Sequence, residues 1–269
     1  MDSNQRIVIA SLNIRHGQGM PKNIRSAYTS FRHPKKSMEA NAKHIAHRLK
    51  SLDPIPDIVC IQESNAAAIR WPDVTEIIRE RLGFGYVAKA PQRILPHNNA
   101  IISRLPLLST FSRQFKRHSL LRSGNPLSLL VSINRGFIGA EIEGIGTIIN
   151  THLDPFDPRV RDTEARELMS FIKPETPIIL AGDFNASSFN EPSLRIISNK
   201  GFHTLPALDK KHFEKEATWP HVRHNNRTPF MRLDYIFATL PLTIIETKPF
   251  DTRLSDHSGV IATVEISSS

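Results

Sequence analysis

The stretch "PIILAGDFN", residues 177–185, is a run of aliphatic residues followed by an acid and an amide two positions apart. The aliphatic run predicts a buried strand that ends close to Gly182. Side chains two apart on a strand lie on the same face, so Asp183 and Asn185 would project together past its end. Gly, Asp and Asn are also favoured wherever a strand turns, so this stretch alone is equally typical of a turn. Only the rest of the sequence can distinguish a simple turn from a functional site here.

Similar short apolar runs recur along the chain and are separated by turn residues, which predicts a strand-rich protein. Between some of them lie amphipathic segments with helical spacing. The chain has no repeat of fixed period and no linker, so we expect one domain spanning residues 1–269. The predicted strands are 6–14, 57–64, 85–90, 99–110, 127–133, 145–153, 177–184, 233–240 and 259–266, and the predicted helices are 37–52, 72–83, 158–172 and 191–201.

Composition limits the class of protein. A chain of 269 residues with 39% hydrophobic and 23% charged residues can bury a sizeable core, which argues against disorder. The single cysteine, Cys60, lies in the apolar run "DIVCIQ", so neither a disulfide framework nor a thiolate metal site is expected. The start "MDSNQR" is too polar for a signal peptide, and no stretch approaches the roughly 18 apolar residues of a transmembrane helix. We therefore expect a soluble protein in the reduced setting of the cytoplasm.

The charge of the chain predicts an anionic partner. The formal net charge is +9 and the sequence pI is near 9.9. Nucleic acid, a phospholipid headgroup and a phosphorylated metabolite all fit such a charge. Charge alone does not choose among these three.

Polar side chains end several of the predicted strands. Each one alone has a structural explanation, as a turn residue, a helix cap or a hydrogen-bonded interior histidine. Together they would leave several costly desolvated groups unless they converge on a ligand or a metal. We therefore interpret them as parts of one site. They are Asn13, Glu63, His152, Asp183, Asn185, Asp234, Asp256 and His257.

These residues lie in blocks that follow a known order along the chain: "SLNIR" (11–15), "CIQES" (60–64), "NNAIISRLPL" (98–107), "NTHLD" (150–154), "AGDFNA" (181–186), "ATWP" (217–220), "RLDYIFAT" (232–239) and "LSDHSGV" (254–260). In this order the chain resembles the endonuclease/exonuclease/phosphatase superfamily of metal-dependent phosphoesterases. The resemblance spans residues 6–266. It implies a DNase I-like α+β fold, a four-layer αββα sandwich in which two mixed β-sheets pack face to face with helices outside.

The resemblance also implies metal-assisted hydrolysis of a phosphodiester by an activated water. Glu63 would be the main ligand of Mg²⁺ or Mn²⁺, with Asn13 and Asp256 nearby, because hard oxygen donors suit these cations. Asp183 would orient or deprotonate the attacking water. Asn185 would donate hydrogen bonds to a phosphoryl oxygen.

The remaining blocks contain the residues that would contact the phosphate of the substrate. By resemblance, His257 would contact the scissile phosphate while Asp234 holds its ring, and His152 would donate to an oxygen from the other side. Asn99 is a predicted phosphate-binding residue. Arg135, in "NRGF" at 134–137, resembles an arginine that clamps phosphate in several relatives.

The loops are the basis for predicting the substrate. Segments 14–37 and 221–232 are basic and contain aromatic residues. If they rim the site, they would favour a polyanionic substrate. The alternative is that both segments are ordinary solvated loops. A nuclease acting on DNA or RNA is therefore the first hypothesis. The alternatives are a phosphatase or phosphodiesterase for a lipid headgroup, an inositol phosphate or another small phosphoester, and a non-catalytic phosphate-binding module.

Overall fold

Two mixed β-sheets form the middle of the molecule in the computed structural model, which describes residues 5–17, 34–64, 71–90, 98–116, 135–172, 176–186, 190–205, 217–219, 231–252 and 254–267. The strands are β1 (Gln5–Asn13), β2 (Ile58–Ser64), β3 (Tyr86–Lys89), β4 (Asn98–Ser103), β5 (Leu107–Gln114), β6 (Gly136–Ile142), β7 (Gly146–His152), β8 (Ile178–Asp183), β9 (Asp234–Ala238), β10 (Leu242–Phe250) and β11 (Gly259–Ile266). One sheet has the order β10-β11-β1-β2-β4-β3 and the other β5-β6-β7-β8-β9. The pairs β1–β2 and β7–β8 are parallel, and the other neighbours are antiparallel.

Helices cover the outer face of each sheet. They are α1 (Pro34–Lys50), α2 (Val74–Leu82), α3 (Pro158–Phe171) and α4 (Pro192–Ser198). Helices α1 and α2 pack on the first sheet through apolar side chains at helical spacing, and α3 and α4 pack in the same way on the second sheet. A third apolar cluster fills the space between the sheets. The predicted four-layer αββα sandwich is confirmed. Within the described ranges, none of the helices has the length and apolar character needed to cross a bilayer.

Strand alternation explains how the site residues come to face one another. Every second residue of a strand points into the space between the sheets. The inward-facing rows are aliphatic at one end and polar at the other, so the polar ends meet at one edge of the sandwich. Three such rows are Ile7, Ile9, Ser11 and Asn13 on β1; Ile148, Asn150 and His152 on β7; and Ile179, Ala181 and Asp183 on β8.

Some strand predictions need correction. The run 99–110 was predicted as one strand, but residues 104–106 separate β4 from β5. Strands β6 and β10 were not predicted, because β6 contains two glycines and β10 is an edge strand with alternating exposure and a proline near its end. The predicted strand 127–133 lies outside the described residues.

Candidate active site

The carboxylate of Asp183 lies among the polar groups at the strand ends. Its Oδ2 accepts a hydrogen bond from Asn13 Nδ2 at 3.0 Å and lies 3.4 Å from His152 Nε2 and 3.7 Å from His257 Nε2. The side chain is only 1% exposed. Groups from β1, β7, β8 and the loop before β11 therefore converge on one buried carboxylate.

Gly182 allows β7 and β8 to approach closely at this point. Its φ is +150°, and a Cβ there would collide with the carbonyl oxygen of Thr151. In the parallel register, Thr151 is paired with Gly182 and His152 with Asp183. A larger residue in place of this glycine would push apart the strands that hold His152 and Asp183 side by side.

Burial raises the pKa of Asp183 to about 7, because the protein interior disfavours the anion. The charge of His257 opposes this effect, whereas the charge of Asp234 adds to it. Hydrogen bonds from Asn13 and from the backbone of Asn185 lower the pKa in part. The carboxyl of Asp183 can therefore exchange a proton close to neutral pH.

His257 forms a buried ion pair with Asp234. Its Nδ1 lies 2.9 Å from Asp234 Oδ2. Burial alone would lower the pKa of His257, but the charges of Asp234 and Asp183 and the hydrogen bond to Asp234 outweigh it and raise this pKa to about 10. The ring is therefore a cation at neutral pH, with Nδ1 held and Nε2 directed towards Asp183.

Replacing Asp234 with alanine should destabilise the fold by about 3–5 kcal/mol, because the buried His257 cation loses its nearest partner. Asp234→Asn keeps the shape and an acceptor oxygen, so we expect a smaller loss. The free energy of unfolding from urea titrations at neutral pH measures both variants. A free energy of unfolding equal to that of the wild type in Asp234→Asn would show that the negative charge at this position is unimportant.

Glu63 reaches the site through a β-bulge. Gln62 and Glu63 of β2 together lie opposite one residue of β4, Asn99, where the register shifts. Glu63 also has a φ of +53°, which is uncommon for a residue with a long side chain. Such backbone conformations cluster at functional sites, where the surroundings hold them in place.

The turned Glu63 side chain lies between an amide and a guanidinium. Its Oε1 accepts a hydrogen bond from Asn13 Nδ2 at 3.3 Å and lies 3.9 Å from Arg135 Nη1. The same Arg135 Nη1 lies 2.7 Å from His152 Nε2 and also contacts Nδ1 of that ring. Because a guanidinium can only donate, the ring nitrogen of His152 that it bonds must carry a lone pair. Arg135, predicted to bind phosphate, thus lies between Glu63 and His152.

Asn185 lies directly beside the Asp183 carboxylate and also forms a turn. It has a φ of +49°, and its backbone N–H donates to Asp183 Oδ1 at 3.0 Å. Its side-chain Nδ2 donates to the carbonyl oxygen of Leu153 at 2.9 Å. The two explanations of "AGDFN" therefore describe the same geometry, in which a turn brings an amide to the site.

Asn99 and Asp256 lie around this group. Asn99 Nδ2 donates to the carbonyl oxygen of Gly136 at 2.8 Å, which links β4 to the second sheet. Asp256 is half-buried, and its Oδ1 lies 3.4 Å from Ser255 Oγ. The described contacts join neither residue directly to Asp183.

Two hydroxyl residues that the sequence analysis did not single out hold the loops of the site. Ser255 Oγ donates to the carbonyl oxygen of Asn13 at 2.6 Å and accepts from the backbone N–H of His257 at 3.2 Å. Thr218 Oγ1 accepts from the backbone N–H of Asp234 at 3.3 Å. Ser255 lies in the block "LSDHSGV" and Thr218 in the block "ATWP". Their positions in these blocks are the sequence signal that could have identified them.

Comparison with known proteins shows the family. The sequence profile of the Endonuclease/Exonuclease/phosphatase family matches residues 10–257. The chain belongs to the endonuclease/exonuclease/phosphatase family. It is therefore a phosphoesterase and a hydrolase. Among curated proteins, no sequence matches the chain significantly.

Solved structures share the fold at low sequence identity. An endonuclease/exonuclease/phosphatase family protein from Bacteroides thetaiotaomicron is 15% identical with a TM-score of 0.68, and the match covers 99% of this chain and 100% of that one. TDP2 from C. elegans is 16% identical with a TM-score of 0.61, covering 97% and 75% of the two chains. Beta toxin from Staphylococcus aureus is 16% identical with a TM-score of 0.61, covering 95% and 99%.

Endonuclease/exonuclease/phosphatase enzymes generally depend on a divalent metal, and one group of buried ligand atoms here lies close enough together to hold a cation. Ligand atoms of Asp183, Asp234 and His257 lie within 4.8 Å of one another. An imidazole that binds a metal must be neutral, so a cation here would have to displace the proton that Asp234 and Asp183 favour on His257.

Glu63 fits a hard divalent cation better. Its side chain is 18% exposed, against 1% for Asp183 and 0% for Asp234. Mg²⁺ and Mn²⁺ keep several waters when bound, so they need a carboxylate that water can reach. Asn13 lies beside Glu63, and its Oδ1, which accepts from the backbone N–H of Arg15 at 3.0 Å, has a second lone pair. The donor set at this position therefore fits Mg²⁺ or Mn²⁺.

Proposed function

We propose that the protein is a Mg²⁺- or Mn²⁺-dependent nuclease that hydrolyses the phosphodiesters of DNA or RNA. The main observation in support of this proposal is the arrangement of polar groups around the Asp183 carboxylate. One buried carboxylate with a pKa near neutrality is in reach of Asn13, His152 and His257, and an accessible acid, Glu63, lies on the other side of the Asn13 amide. Hydrolysis of a phosphodiester needs such a proton acceptor next to groups that stabilise a negatively charged phosphoryl group.

In this proposal, Asp183 orients the attacking water and takes its proton. His257 donates from Nε2 to a phosphoryl oxygen while Asp234 holds Nδ1. Asn185 would donate to the same developing charge. A divalent cation held by Glu63, with Asn13 and Asp256, would supply further neutralisation of the phosphoryl oxygens.

His152 and Arg135 would bind the phosphate from the β6–β7 side of the site. They are in contact, and Arg135 is 5% exposed. A guanidinium with little access to water is a strong partner for a phosphate oxygen. Asn99 would support this side through its bond to Gly136, the residue after Arg135.

Charge favours a polyanionic substrate over a small phosphoester. The net charge is +9, and Lys35 and Lys36 are exposed at the start of α1, at the end of the predicted basic rim 14–37. Basic side chains bind a nucleic-acid backbone without reading its sequence. Most of that rim, residues 18–33, and nearly all of the second predicted segment, 221–232, lie outside the described residues.

Replacing Lys35 and Lys36 with alanine should flatten the salt dependence of nucleic-acid binding. Each phosphate contact contributes about 0.7–0.9 to the slope of log K against log salt, so we expect the slope to fall by about 1–2. Turnover of bis-p-nitrophenyl phosphate should not change, because this small diester lacks the further phosphates that the rim would bind. Lys50→Ala combined with Lys200→Ala, at the last residue of α1 and just after α4, is the control with the same charge change. A slope equal to that of the wild type would count against the proposal that the basic rim contacts nucleic acid.

A panel of substrates tests the proposed function. Plasmid DNA, single-stranded DNA, RNA and phosphoinositide vesicles are compared at equal phosphoester concentration with Mg²⁺. We expect a higher kcat/KM for at least one nucleic acid than for the phosphoinositides. The reverse order would identify a lipid or small-phosphoester enzyme, and binding without any hydrolysis would identify a phosphate-binding module.

A further inference from the structure

Asn150 is a buried amide between the two sheets, at the point where the aliphatic core meets the polar site. It lies on the inward face of β7 between Ile148 and His152 and is fully buried. A buried amide is costly unless its donors and acceptor are satisfied, so its partners indicate what it does.

All three described partners of the Asn150 side chain belong to the first sheet, next to the bulge. Its Nδ2 donates to the carbonyl oxygens of Ile61 at 2.8 Å and Ala100 at 2.9 Å. Its Oδ1 accepts from Gln62 Nε2 at 2.7 Å. The two carbonyl oxygens can only accept, so the direction of the amide is determined. Ile61 and Ala100 are the paired residues at which the regular β2–β4 register ends.

The bulge decides which way Glu63 points. Without it, alternation would place Glu63 on the same face as Ile61, which packs against the outer helices. The extra residue and the left-handed φ of Glu63 turn the carboxylate towards Asn13 instead. Any group that holds the bulge therefore holds Glu63 in the site.

We propose that Asn150 is a positioning residue, which holds the bulge that presents Glu63 to the site and ties it to the strand that carries His152. The inference rests on the proposed role of Glu63 in metal binding. Gln62 is oriented by the same contact. Its Nε2 also donates to Ser11 Oγ at 3.1 Å, whereas its Oε1 is buried without a hydrogen-bond partner among the described residues.

Asn150→Asp tests this role with little change in shape, because it replaces the group that donates to the two carbonyl oxygens with a carboxyl oxygen. Mn²⁺ binding, measured by calorimetry without substrate, should weaken by on the order of 10- to 100-fold, as is typical when a residue that supports a metal ligand is lost. Asn150→Ser is the second variant, for use if the buried aspartate prevents folding. It keeps a small polar side chain but cannot span both carbonyls.

Ile148→Ala is the matched control, because it lies on the same face of the same strand, two residues further from the bulge. It should lower the thermal midpoint but leave the Kd for Mn²⁺ unchanged. A role confined to general stability predicts the opposite, namely equal weakening of Mn²⁺ binding in Ile148→Ala and the Asn150 variants. That result would overturn the inference, as would an unchanged Kd in a folded Asn150 variant.

A double-mutant cycle with Glu63→Gln tests whether Asn150 acts through Glu63. If it does, Asn150→Asp lowers kcat/KM for bis-p-nitrophenyl phosphate in the wild type but causes little further loss beside Glu63→Gln. Losses that multiply would show an independent effect and contradict the proposal. A wild-type protein that binds no Mn²⁺ would refute the proposed metal site and this inference together, whereas normal Mn²⁺ binding in a folded Asn150 variant would refute only the inference.

Discussion

Asp183→Asn should lower kcat for a phosphodiester by on the order of 10²–10⁴-fold, because it removes the group proposed to take a proton from water. Asparagine has nearly the same shape, but it has one acceptor oxygen where Asp183 has two. This oxygen can still accept from the backbone N–H of Asn185, whereas the hydrogen bond from Asn13 Nδ2 is lost. The turn would therefore survive the change, and circular dichroism and the thermal midpoint should show an intact fold.

The measurement is kcat at saturating bis-p-nitrophenyl phosphate with Mg²⁺. Asp57→Asn is the control, because it replaces another buried carboxylate, which accepts from the backbone N–H of Val8 at 2.8 Å at the opposite end of β2. It should reduce stability and leave kcat unchanged. Near-normal kcat in Asp183→Asn would mean that the aspartate serves only the turn.

Glu63→Gln is expected to have the second large effect. A metal ion that neutralises charge in the transition state contributes several kcal/mol, so loss of its main ligand should cost roughly 100-fold or more in kcat/KM. Glutamine keeps the length of the side chain and an acceptor for Asn13, so the fold should remain. The concentration of Mg²⁺ that gives half-maximal activity should rise in parallel.

Titration of activity with Mg²⁺ and calorimetry with Mn²⁺ measure the two parts of this expectation. Glu265→Gln, which removes a half-buried carboxylate paired with Arg6 at 3.1 Å, is the control for the loss of one acidic group. It should match the wild type in both measurements. An unchanged Mg²⁺ requirement in Glu63→Gln would place the cation elsewhere, and the group of Asp183, Asp234 and His257 would then become the alternative.

Local sequence patterns predicted most of the strands and helices and the polar groups at the strand ends, and the family resemblance implied the four-layer fold. Period-two alternation puts Asn13, His152 and Asp183 on the inward faces of their strands, and each of them follows an aliphatic row that fills the core. Gly182 permits the close approach that puts His152 next to Asp183. These contacts could be predicted because the periodicity of each short segment indicates where its strand ends.

Other features depend on hydrogen bonds between distant parts of the chain. The bulge at Glu63 reverses the face that alternation assigns to this residue, and no local pattern in "CIQES" indicates an extra residue. The role of Asn150 depends on carbonyl oxygens from two strands of the other sheet. Strand β10 lacks an apolar run, because as an edge strand it buries only part of its side chains.

Removal and return of the metal test the central claim most directly. Wild-type protein is treated with EDTA, transferred to metal-free buffer and assayed on bis-p-nitrophenyl phosphate, first alone and then with Mg²⁺ or Mn²⁺. The proposed site predicts that hydrolysis is lost on chelation, returns with either cation, and remains low in Asp183→Asn under every condition. Full activity in the presence of EDTA would contradict it.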